Sequence, residues 1–177
     1  MEVISPDLKR AARAIENGDV LVCPTDTVYG LICDAENKKA VEKIYKIKQR
    51  PKNKLIPIFT SDIKMAKKLT KINSRQEKFL KQVWPGPVTA VFHYKKPGIR
   101  VPNHKFLLHL IKRVGPLAET SANISGQPPT TKIKEVLKYF KARKYQPDLV
   151  LDAGDLKPAK PSQVIDLTGP EPVILRK

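Results

Sequence analysis

Short apolar runs bounded by proline or glycine alternate along this chain with basic segments whose apolar residues recur at helical spacing. That alternation constrains the fold more than any single motif. Runs this short are strand-like, and the amphipathic segments between them read as helices that cover a sheet. Ser5-Pro6 starts a helix on which Leu8, Ala11, Ala12 and Ile15 share a face, and Gly18 stops it. Residues 19–23 read as a buried strand. Asn37 caps a helix whose Val41, Ile44, Tyr45 and Ile47 face inward, ending at Lys48-Gln49-Arg50-Pro51. Residues 55–60 are strand-like, Ser61-Asp62 opens a basic helix, and another helix runs from Ser74 to about Trp84. Residues 88–92 and 99–102 read as strands, and Asn103 caps a helix over 105–114. Leu117-Ala118 leads into a polar loop over 119–129, and Ile133, Val136, Leu137 and Phe140 share a last helical face. Strands are expected at 149–152, 164–167 and 173–175. With no linker or repeat, residues 1–177 are expected to form a single α/β domain, an open mixed sheet flanked by helices.

The charge balance bears on partners. Lys and Arg number 34 against 17 Asp and Glu, a net charge of +17, which points to nucleic acid or nucleotide phosphates. The alternative is that lysines such as Lys38-Lys39 and Lys67-Lys68 only solvate helix faces. No apolar run reaches membrane-spanning length, and the Met1-Glu2-Val3 start lacks the features of a signal peptide, so a cytoplasmic protein without membrane contact is expected. Cys23 and Cys33 lack CxxC spacing and read as free thiols. His93, His104 and His109 form neither HExxH nor an i,i+4 pair, which argues against a metal site of the protein's own.

Several local patterns can carry chemistry, each with a plainer reading beside it. In residues 24–31 (PTDTVYGL), the Thr25 and Thr27 hydroxyls either hold the polar end of a ligand or cap a strand end. Lys48 and Arg50 either neutralise a helix C-terminus or clamp phosphates. Ser121 and Asn123 sit in a polar loop that offers hydroxyl, amide and backbone groups to phosphate oxygens or a hydrated metal, or forms an ordinary turn. Arg100 lies between Ile99 and Val101 on a strand, so its side chain leaves on the opposite face, toward solvent or a carboxylate in a cleft. Ser162 and Arg176 bracket the last two strands and admit the same pair of readings.

The combination is more specific than its parts. PTDTVYGL, KxRP, WPGPVT, IRVP, ETSANISG, PSxVID and ILR follow in that order across nearly the whole chain, and the set resembles the YrdC/Sua5 family, the threonylcarbamoyl-AMP synthases, in a short form without the extra C-terminal domain of longer Sua5 members. The resemblance implies a twisted open sheet around a large, positively lined cleft, and an enzyme of the tRNA t6A37 pathway. The implied reaction condenses L-threonine, bicarbonate or CO2, and ATP to threonylcarbamoyl-AMP and pyrophosphate, for delivery to a tRNA threonylcarbamoyl transferase. By motif position, Lys48, Arg50, Ser121 and Asn123 would handle ATP, and Arg176 would face the nucleotide. Lys48 and Arg50 would be the catalytic pair, neutralising phosphate charge together with the Mg2+ that accompanies ATP near Ser121 and Asn123. Thr25, Arg100, Thr120 and Ser162 would line the threonine pocket, with Arg100 on the carboxylate and Thr27 holding the loop in shape.

Leu55, Phe59 and Glu119 depart from the family's usual residues, and the connection from Phe92 to Arg100 is short, which leaves the adenine contacts unassigned. Two competing readings are a tRNA or double-stranded RNA-binding module without this activity, and a carbamoyl-transfer module as in hydrogenase maturation proteins. The chain has no room for the further domains of the latter.

Overall fold

A computed structural model describes residues 1–176, in which ten strands form one mixed sheet. They are β1 (Glu2–Ile4), β2 (Leu21–Cys23), β3 (Gly30–Asp34), β4 (Ile58–Phe59), β5 (Val88–Val91), β6 (Ile99–Arg100), β7 (Leu117–Ser121), β8 (Leu149–Leu151), β9 (Gln163–Asp166) and β10 (Val173–Arg176). Their order is β1-β8-β2-β3-β7-β4-β6-β5-β9-β10. The pairs β1/β8, β2/β8, β4/β6 and β5/β9 are parallel, and the remaining five are antiparallel.

Six helices cover this sheet: α1 (Leu8–Glu16), α2 (Lys38–Lys48), α3 (Ile63–Leu69), α4 (Ser74–Val83), α5 (Lys105–Val114) and α6 (Ile133–Phe140). Period-two alternation assigns them to faces. Val22, Leu31, Cys33 and Val150 pack against Ile44 and Ile47 of α2 and Val136 and Phe140 of α6. Leu21, Cys23, Ile32 and Leu151 point the other way, onto Ala11, Ala12 and Ile15 of α1 and Leu107, Leu110 and Ile111 of α5. Beyond β7 only one face keeps its helices. There Val88, Ala90, Ile99 and Ile165 meet Ala66 of α3 and Leu80 of α4, and the opposite face is left open.

The expected elements form, with shifts that have local causes. Asp7, not Ser5, caps α1, because its carboxylate accepts the Arg10 N–H at 2.8 Å. His104, not Asn103, caps α5, its Nδ1 accepting from Leu107 N at 3.4 Å, while the Asn103 N–H is bound to Asp26. The strand expected over 55–60 shrinks to Ile58–Phe59. The proposed binding loop gives its last two residues to β3, whose Gly30–Asp34 run pairs with both β2 and β7. β7 likewise extends through Glu119 and Thr120 to Ser121, where a polar loop was expected. Both misreadings have one cause: a strand whose end faces a polar cavity does not look apolar. Among the described residues, no helix is long and apolar enough to cross a membrane.

Candidate active site

The open face forms a cavity of about 630 Å3, within the range of small-molecule sites. Strand alternation selects its wall. Because Ala90, Ile99 and Ile165 point into the α3/α4 core, Thr89, Arg100 and Val164 point into the cavity. Loops after β2, α2, β7 and β8, with β10 at the sheet edge, complete it, and among the described residues Arg50, Lys96, Arg100 and Arg176 line it against one carboxylate, Glu119.

Arg100 leaves β6 opposite Ile99, as alternation requires, and its side chain is only 2% exposed. Its Nε donates to the Gly86 carbonyl at 2.9 Å, its Nη2 to Asp26 Oδ1 at 2.7 Å, and the guanidinium lies 5.3 Å from the centre of the Phe59 ring. Nη1 has only a long contact of 3.4 Å to Thr27 Oγ1. A buried guanidinium fixed on one edge, with donors left over beside a cavity, is prepared to receive a carboxylate. Asp26 is itself held, accepting the Asn103 N–H at 2.9 Å through Oδ2.

Of the two threonines, the one expected on the ligand is bound within the loop and the other faces the cavity. Thr27 lines the cavity. Thr25 is turned into the loop, where its Oγ1 accepts the Thr27 N–H at 3.0 Å, donates to the Val28 carbonyl at 2.7 Å and lies 3.0 Å from Thr27 Oγ1. The short side-chain-to-backbone closure available to the first hydroxyl of a T-x-T turn decides this. Thr120 and Ser162 both line the cavity, and Ser162 Oγ is 3.1 Å from Thr89 Oγ1.

At the other end, Lys48 and Arg50 part company at Gln49. Gln49 ends α2 in the left-handed region (φ 53°), which reverses the chain and leaves Lys48 facing inward and Arg50 outward. Lys48 is 2% exposed and does not line the cavity. Its Nζ donates to the Ser121 carbonyl, to the Asn123 carbonyl at 2.9 Å and to Asn123 Oδ1 at 3.1 Å, bracing the loop after β7 from behind. Burial, and then the nearby Arg50 charge, push the Lys48 ammonium down to about 7, with Glu119 opposing.

Asn123 is also internal: its Oδ1 accepts from Ser121 Oγ at 2.6 Å, and its Nδ2 donates to the Ile124 and Gln127 carbonyls. Ser121 reaches the cavity. Arg50, on the cavity wall, donates to the Lys54 and Leu55 carbonyls at 2.9 and 3.0 Å, and burial lowers its guanidinium from the ordinary value. Arg176 donates to the Ser162 carbonyl at 2.8 Å, tying β10 to the segment before β9.

Three features in or behind the cavity wall have no role assigned from the sequence. Asp26, the partner of Arg100, lies 74 positions from it. Tyr94 and Lys96 bring the short connection before β6 into the wall. Glu119 sits on the cavity side of β7, no protein hydrogen bond to its carboxylate exists among the described residues, and burial lifts it to about 7 against the pull of Arg100 and Lys48. Its signal was visible as an acid in a stretch of small hydroxyl residues, ETSANISG.

Among the described residues no group of three His, Cys, Asp or Glu is placed to hold a metal ion. Asn123 Oδ1 accepts from both Ser121 Oγ and the Lys48 ammonium, a poor setting for a divalent cation. The donor set there does not fit a Mg2+ held by the protein.

Comparison with known proteins gives this geometry a context. The Sua5/YciO/YrdC family model, described as telomere recombination, matches residues 13–177. A Methanocaldococcus jannaschii relative is 35% identical over 180 residues, covering 93% of this chain and 82% of that protein. The threonylcarbamoyl-AMP synthase of Bacillus subtilis is 33% identical over 186 residues, covering 97% of this chain and 53% of that protein. The crystal structure of P. abyssi Sua5 complexed with L-threonine superposes with a TM-score of 0.85 at 30% identity, covering 99% of this chain and 56% of that one. The chain therefore spans about half the length of the latter two and most of the first.

Proposed function

The chain belongs to the Sua5/YciO/YrdC family, and from that premise we propose that it is a threonylcarbamoyl-AMP synthase, condensing L-threonine, bicarbonate or CO2, and ATP with release of pyrophosphate. One observation carries the reading. A single cavity of about 630 Å3 is lined by buried Arg100 with Thr27, Thr120 and Ser162, groups suited to an amino acid's carboxylate, and by Arg50, Arg176 and Ser121, groups suited to phosphates. This lining supports an amino acid and a triphosphate sharing one enclosure. Once threonine's amine has been carboxylated, a carbamate oxygen attacks the α-phosphorus and pyrophosphate leaves.

No protein nucleophile is needed. Rate enhancement comes from alignment of the two substrates and from Arg50 and Arg176 neutralising phosphate charge, while Lys48 holds the Ser121–Asn123 turn in position from behind. Such an enzyme would work in the cytoplasm, carry Mg2+ in with ATP, and hand its product to a transferase acting on tRNA. A stand-alone RNA-binding module is not favoured, since the relatives carry an enzyme's name over nearly the whole of this chain.

Pyrophosphate release tests the reading. It should require threonine and bicarbonate together and be abolished in both Arg50→Ala and Lys48→Ala. ATP turnover indifferent to threonine would overturn it.

A further inference from the structure

Among the described residues, Glu119 is the one carboxylate on a cavity wall whose other charged groups are arginines and a lysine. Asp26, partly buried nearby, is already committed to Arg100 and to the Asn103 amide. Glu119 makes no such commitment: its backbone N–H is fixed to the Pro57 carbonyl at 2.9 Å, whereas its carboxylate has no hydrogen-bond or ion-pair partner among the described residues. The charged groups that act on it come from four elements: Arg100 of β6, Lys48 of α2, Arg176 of β10 and Asp26 of the loop after β2, with the Cys23 thiol of β2 also within its influence. Placing a carboxylate where it is partly desolvated, and leaving it unpaired, is unfavourable unless something that enters the cavity pairs with it.

The sheet register says where that partner sits. Leu117 pairs with Phe59, and Phe59 with Arg100, so Leu117, Glu119 and Arg100 project from the same face. Glu119 lies two strands from Arg100 and two residues along. Strand spacing of about 4.8 Å and a rise of about 3.3 Å per residue put their Cα atoms about 12 Å apart. Both side chains converge on the loop after β2: Arg100 binds Asp26 at 2.7 Å and lies 3.4 Å from Thr27 Oγ1, while Glu119 Oε1 lies against Gly30 at the end of that loop, beside Thr25. An α-amino acid presents the complementary pair of charges, a carboxylate for the guanidinium and an ammonium for the carboxylate.

Resting on the synthase reading for the identity of the ligand, we propose that Glu119 binds the α-ammonium of the amino-acid substrate while Arg100 binds its carboxylate, so that the pocket selects free α-amino acids by reading both charges at once. Gly30 belongs to this arrangement, because a Cβ at that position would stand 2.7 Å from Glu119 Oε1 and displace the carboxylate. A ligand that lacks the ammonium would leave the Glu119 carboxylate without its partner and bind more weakly.

Calorimetric titration with L-threonine and with 3-hydroxybutyrate, which is threonine without its amine, tests the pairing. Wild-type protein should bind threonine at least about tenfold more tightly than 3-hydroxybutyrate. In Glu119→Gln that preference should collapse through loss of threonine affinity, with Glu119→Asp recovering part of it, and KM for threonine should rise more than kcat falls. Threonine affinity within about twofold of wild type in Glu119→Gln would overturn the proposal. Binding is read without turnover. A chain that binds threonine through Glu119 but releases no pyrophosphate would therefore refute the synthase reading and leave the ammonium site standing.

Discussion

Replacing Glu119 by Gln should make the protein more stable in alkaline buffer and leave its stability almost unchanged in acid. The carboxyl is lifted by burial from 4.5 to about 7 in the folded chain. Between those two values the folded state holds a proton that the unfolded state has lost, so the contribution of Glu119 to stability is intact below about 4.5 and declines as pH rises through 7. A difference of about 2.5 units corresponds to roughly 3 kcal/mol at most, reduced by the cavity's access to water. Glutamine keeps the shape above Gly30 without the charge, but its amide also gives up some hydration. The expected gain at pH 8 is therefore on the order of 1–3 kcal/mol, or about 2–10 °C in Tm for a chain of this size. Thermal unfolding of wild type and Glu119→Gln at pH 8 and pH 4.5, at equal ionic strength, provides the measurement. A variant of unchanged or lower Tm at pH 8 would mean that the carboxylate has a protein partner, and the argument from its isolation would fail. Stability gained at the expense of threonine binding is what a charge held ready for a ligand should produce.

Two further substitutions probe the walls of the same cavity. Asp26→Asn removes the counter-charge of a guanidinium that is 2% exposed and should lower unfolding stability by about 3 kcal/mol in urea, raising KM for threonine while leaving ATP affinity in place; an unchanged urea midpoint would contradict it. Thr25→Ala deletes the hydroxyl that closes the loop and should cost about 2 kcal/mol, whereas Thr27→Ala should cost less than half of that while weakening threonine binding. Reversed costs, read from the same urea curves, would restore the opposite assignment of the two threonines.

Much of the architecture could be read from the chain because it rests on local rules. The helices carry strong apolar periodicity, and Asn37 and Asp62 cap α2 and α3 as their positions suggest. The face chosen by Arg100 also follows from alternation alone, since Ile99 must enter the α3/α4 core. What could not be read depends either on pairing distant in sequence or on one local backbone geometry that the residue types do not dictate. Gly30–Asp34 and Leu117–Ser121 are strands because they pair with each other at the centre of the sheet, although Gly30, Glu119 and Ser121 are poor strand formers taken singly. The division of labour between Lys48 and Arg50 turns on the left-handed Gln49, a conformation that no residue type at that position announces. Thr25 and Thr27 are equivalent as letters and become distinct only through one short hydrogen-bonded closure. Motif order supplied the candidate residues, and the fold determined which of them face the cavity.

The most direct test of the synthase reading is to incubate the protein with ATP, Mg2+, L-threonine and 13C-labelled bicarbonate and to follow the products by mass spectrometry. Threonylcarbamoyl-adenylate carrying the label, formed with one pyrophosphate per molecule and absent when threonine is omitted, is the predicted result. Pyrophosphate or AMP appearing without threonine, or no labelled adenylate under conditions where threonine binds, would contradict it.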